Sequence, residues 1–166
     1  MEVTLGVVIS REFDRGYFDK YPRLRFHRNA ITRFEDLLSD GLLEFKSDLV
    51  ESLAATFVCL SPPFLAFYKV TRPIYYADRT LKCRGSVTPE VRMYKCLTAD
   101  FVVDFETFYH LTTEEDCMRF LALSFLDFLK NLKYPGALKK FEKEEFLQAV
   151  RELFIRNAVI SADEGI

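Results

Sequence analysis

The 166-residue sequence has no tryptophan, two histidines, six glycines, six prolines and four cysteines. Each scarcity removes a class of function. Phosphate-cradling loops need glycines in fixed patterns, and neither a G-x-x-x-x-G-K-[ST] loop nor a G-x-G-x-x-G turn occurs. The G-x-S-x-G nucleophile elbow and the H-E-x-x-H zinc helix are missing as well. Cys59, Cys83, Cys96 and Cys117 form no C-x-x-C pair, and only His27 and His110 could complete a zinc set. That pattern reads as reduced, buried thiols in a cytosolic protein, with no metal or other cofactor. No apolar run is long enough to span a bilayer. The opening "MEVTLGVVIS" carries an acid where a signal peptide would carry bases. A cytoplasmic location with no membrane partner is the expectation.

What the chain does have is aromatic mass and segregated charge. Seventeen Phe and eight Tyr supply a ring-rich core. The formal net charge is −2, but its distribution is uneven. Residues 10–33 hold seven bases and three acids, whereas residues 34–52 hold one base and six acids. Residues 68–95 hold seven bases and two acids, and residues 100–127 one base and seven acids. Such alternation predicts separate acidic and basic patches on one domain, residues 1–166, with a loose tail from about 158.

Hydrophobic periodicity sets the expected elements. Val3, Leu5, Val7 and Ile9 alternate as a strand, and "REFDRGYFDKYPRLR", broken by Gly16 and Pro22, reads as an irregular connection. Ile31, Phe34, Leu37 and Leu38 fall at helical spacing, from a start at His27 or Asn29 to Gly41. Residues 42–60 fit both periods, with β-branched and aromatic content favouring a strand in the second half. The extended runs between 64 and 109, punctuated by Pro73, Gly85 and Pro89, suggest a meander. Thr112 with Glu115 reads as a capping box opening a helix to about Lys133, and a last helix runs from about Leu138 to Asn157. The expected fold is α+β, a mostly antiparallel sheet with helices packed on one face, two of them C-terminal.

The stretch "LTADFVVDFETFYHLTTEED", residues 97–116, carries the strongest chemical signal. Read as a strand, it turns Leu97, Ala99, Phe101, Val103 and Phe105 inward, and Asp100, Asp104 and Glu106 outward. At about 3.3 Å per residue, Asp104 and Glu106 stand about 7 Å apart and Asp100 about 13 Å from Asp104. The nearer pair suits a two-carboxylate hydrolase by distance, but such a site also needs a cleft and one carboxyl of raised pKa. Three readings stay open: a solvated face, a partner-binding patch, or a catalytic pair. The basic, tyrosine-bearing "YKVTRPIYYADRTLKCRG" suggests RNA binding, against which stand the acidic balance of the whole and the lack of any RNA-binding signature.

The order of three segments resembles immunity proteins of bacterial polymorphic-toxin and contact-dependent growth inhibition systems. They are "LGVVIS", "YFDKYPRLRFHRNAITRFEDLL" and "MYKCLTADFVVDFETFYHLTTEEDCMRFLALSFLDFL", so the likeness covers about residues 3–130. The resemblance implies a non-enzymatic protein that binds a cognate toxin C-terminal domain, often a nuclease with a basic cleft. On that reading Asp100, Asp104, Glu106, Glu114, Glu115 and Asp116 form the electrostatic contact, with Tyr109 and Leu123 as apolar anchors.

Overall fold

A computed structural model describes residues 1–9, 24–60, 74–82 and 91–164; for residues 8, 9, 24, 25, 74–82 and 91–94 the description covers the backbone alone. Strand β1 (Glu2–Ile9) precedes helix α1 (Leu24–Gly41), which leads to β2 (Ser52–Leu60). Strands β3 (Ile74–Lys82) and β4 (Val91–Asp104) follow. Then come a short helix α2 (Phe105–Tyr109), the long α3 (Glu114–Asn131), a 3-10 turn (Gly136–Leu138) and α4 (Lys143–Arg156).

The strands form one sheet in the order β1-β2-β4-β3. β1 runs parallel to β2, with Val3 opposite Leu53, and β2 runs parallel to β4, with Phe57 opposite Phe101. β3 alone is antiparallel, beside β4, with a register break between Tyr76 and Arg79. The expected antiparallel meander is therefore wrong. The helix expected between β1 and β2 is present, and it is the crossover that a parallel pair requires. What fails is the succession of antiparallel neighbours between 64 and 109: β3 lies at the edge, and β4 pairs with β2 in parallel on its other side. The ambiguous region resolves as a strand across all of 52–60.

One sheet face carries the core. Val3, Leu5, Leu53, Ala55, Phe57, Leu97, Phe101 and Val103 point into it and are buried. α1 and α3 pack together and meet that face, and α4 lies against α3. Phe34 of α1 is the hub: its ring centroid is 5.7 Å from Phe125 of α3, 5.7 Å from Phe154 of α4 and 6.5 Å from Phe101 of β4. Burying such a ring contributes about 3 kcal/mol at most, so this cluster ties the three helices and the sheet into one cooperative unit.

The boundaries sharpen the local chemistry. α1 begins at Leu24, earlier than the expected start, and His27 lies within its first turn, 2% exposed. His27 Nε2 lies 2.9 Å from the Phe108 carbonyl, and its ring stacks on Tyr109, so it is neither a surface nor a capping histidine. α3 begins one residue later than the expected box: Thr113 is the N-cap, its hydroxyl accepting from Asp116 N at 3.1 Å. The capping logic holds with Thr113 and Asp116 in place of Thr112 and Glu115. The final helix is shorter than the periodicity suggested, starting only at Lys143 after the 3-10 turn. Beyond it, Ile160 is buried, Arg151 donates to the carbonyls of Ala162 and Glu164, and Arg119 pairs with Glu164.

Candidate functional site

The carboxylates of residues 100–116 do not line one strand face. β4 stops at Asp104, whose side chain caps α2: one oxygen accepts Glu106 N at 3.0 Å and the other accepts the Thr107 hydroxyl at 2.9 Å. Glu106 thus sits in the first turn of a helix, where an acid is favoured by the exposed N–H groups, and the 7 Å spacing of an extended chain does not apply. Asp104 has both oxygens engaged in holding the corner.

The corner does collect charge. Glu106 is exposed and faces exposed His110 at 3.7 Å. Glu115 and Asp116 are exposed in the first turn of α3, and Glu114 beside them bonds Arg33 of α1 at 2.7 Å. Asp100 stands apart, half-buried on the reverse face of the sheet opposite Thr56. The expected set therefore divides into a capping residue, a residue tied to α1, a strand residue on the reverse face of the sheet and three outward carboxylates.

The two expected anchors are also placed. Tyr109 is half-buried, with its ring stacked on Phe105 at 5.5 Å and on His27 at 5.4 Å. Leu123 is half-buried and packed on the core, although it falls within the polar stripe of α3 on a helical wheel. Lys95 of β4 donates to the Asp48 carbonyl at 2.7 Å and so has a structural task.

Thiol chemistry is suppressed where the structure resolves it. Burial, then the charge of Asp104, pushes the Cys59 thiol up to about 12, and burial followed by Asp116, Glu114 and Glu115 pushes Cys117 up to about 11. Thiols held protonated in this way are poor nucleophiles and poor metal ligands. Among the described residues no three His, Cys, Asp or Glu side chains converge to hold a metal ion. No described helix is long and apolar enough to cross a membrane. Apart from Lys95, the basic 68–95 stretch falls on residues or side chains outside the description.

A second feature has no counterpart in the sequence reading. An open groove of about 510 Å³ runs between α1, α3 and the end of α4, lined by Arg33, Asp36, Asp40, Met118, Leu153 and Arg156 among others. Its sequence signal was available: Asp36 and Asp40 stand four apart, on one stripe of α1. What hid it was the third wall, because nothing local brings the end of α4 to α1.

The model of one family, described as immunity protein 44, matches residues 8–156. The chain belongs to that family. The match runs from the end of β1 through α1, the other three strands, α3 and α4, and so includes the last helix, which lies beyond the residues 3–130 of the resemblance. No curated protein and no solved structure matches this immunity protein. Membership gives the general role, protection against a toxin, and with it a cognate toxin as partner.

Proposed function

We propose that this immunity protein neutralises a nuclease toxin domain by laying the acidic corner of β4, α2 and α3 over the toxin's basic substrate cleft. The carrying observation is the exposure of Glu106, Glu115 and Asp116 on two consecutive helix starts joined by a four-residue link. Carboxylates gathered in the first turns of two successive helices concentrate negative charge at one corner, which suits them to steer a basic partner and select its orientation. Tyr109, braced by its stacking on Phe105 and His27, is the proposed anchor beside them, with Leu123 further along α3. Inhibition of this kind needs no catalysis, cofactor or membrane, and it operates in the cytoplasm of the producing cell.

The test is binding to the toxin C-terminal domain encoded immediately upstream, measured by stopped flow across a salt series. A fast association that slows as salt rises is expected. Reversing the charges together, Glu106→Lys, Glu115→Lys and Asp116→Lys, should slow association by about tenfold or more, and it should also lower the melting temperature, because each lysine opposes the dipole of the helix whose first turn it enters. A complex whose association ignores both salt and the triple substitution would refute the acidic corner. Absence of any complex would refute the toxin assignment itself.

A further inference from the structure

The groove between α1, α3 and α4 has an apolar floor and an acidic wall. Met118 and Leu153 are buried at its base, and half-buried Leu37 and Val159 extend it. Asp36 and Asp40 are exposed on the α1 side, and no described residue pairs with either. Arg33, the cation nearest to them along α1, has its guanidinium bonded to Glu114. Arg156 stands exposed on the α4 rim.

The placement of Asp40 is unfavourable for the helix that carries it. α1 has no acid in its first turn and no base in its last, and Asp40 occupies that last turn. Carboxylates at a helix C-terminus oppose the macrodipole. Asp40 therefore does nothing for α1, and neither acid serves packing, since both are exposed. Their neighbour Gly41 does serve packing, because a Cβ there would overlap the side chain of Leu153. The close approach of α4 to α1 at Gly41 forms the groove wall.

We infer that this groove receives a lysine or arginine side chain of the toxin, its aliphatic stem on Leu37, Met118, Leu153 and Val159 and its cationic head between Asp36 and Asp40. A long basic side chain is the guest with both required parts, an apolar stem and a positive end. The groove is continuous with the acidic corner through the Arg33–Glu114 bond, so one basic partner surface spans both. The inference rests on the immunity reading and adds a second contact to it.

The experiment is titration calorimetry of the upstream-encoded toxin domain against three forms of the full chain. Asp36→Asn with Asp40→Asn should weaken binding by about tenfold or more, while thermal stability stays equal or rises because the conflict with the helix dipole is relieved. Arg156→Gln, which removes the like charge from the opposite rim, should tighten binding severalfold. Unchanged affinity in the double variant overturns the groove and leaves the toxin reading standing. Tighter binding by the double variant, with weaker binding by Arg156→Gln, overturns it in favour of an acidic guest. A wild-type chain that binds no toxin sinks both readings.

Discussion

At the residue scale, Asp104 shows how a side chain that suggests chemistry can be spent on architecture. Its two oxygens accept from Glu106 N and from Thr107 Oγ1, and these bonds turn the chain from β4 into α2. Asparagine keeps an oxygen acceptor of the same size, whereas alanine keeps none. Asp104→Ala should therefore cost about 1 kcal/mol in urea unfolding, and Asp104→Asn a few tenths. Equal losses for the two would mean that charge, not capping, is the contribution. The same comparison bears on function: if Asp104 is a cap, the Asn variant keeps toxin affinity near wild type, because the exposed carboxylates are still presented in place.

At the element scale, the helices were more legible than the sheet. α1 and α3 follow from apolar spacing, and each carries its end signals in sequence, Gly41 at the end of α1 and the Thr-Glu-Glu-Asp run that starts α3. Strand existence was legible too, since β1 and β4 alternate. Strand partners were not: parallel and antiparallel neighbours share the period of two, and the pairing of Phe57 with Phe101 depends on residues far apart in the chain. The site suffered from the same blindness. The carboxylates could be named from sequence, but the capping task of Asp104, the Arg33–Glu114 bond and the third wall of the groove all depend on which helix lies beside which. Gly41 makes that point testable. A helix-ending glycine suggests conformational freedom, yet the structural demand is space: Cδ2 of Leu153 would stand 2.6 Å from an added Cβ. Gly41→Ala should destabilise by about 1–3 kcal/mol despite alanine's better helix propensity. Leu153→Ala costs stability alone by emptying a buried site, but combined with Gly41→Ala the loss should fall short of the sum. Strict additivity in thermal melts would show that the two positions do not meet.

At the scale of the whole molecule, the way this fold buries titratable groups sets its alkaline limit. Cys59 on β2, Cys117 on α3 and Tyr134 after α3 have folded-state values raised to about 12, about 11 and about 12, from 9.0, 9.0 and 10.0. Burial is the main cause for each, with Glu144 adding its charge at Tyr134. A raised folded value means that the native chain holds a proton which the unfolded chain gives up first. The stabilisation is fully present below the unfolded value and is lost as pH climbs toward the folded one, so stability falls once solution pH passes about 9. Because Cys59 and Cys117 sit in the cluster that joins sheet to helices, ionising either means opening that cluster, and the loss should be cooperative. Urea midpoints should hold steady from pH 7 to 8.5 and then drop through pH 9 to 11, with the thiols becoming alkylable only as unfolding begins. Cys117→Ser should lower stability at pH 7 yet flatten the alkaline limb, since one of the two deprotonations that start at pH 9 is gone. A midpoint that stays level to pH 11 would show that these groups ionise without the fold opening.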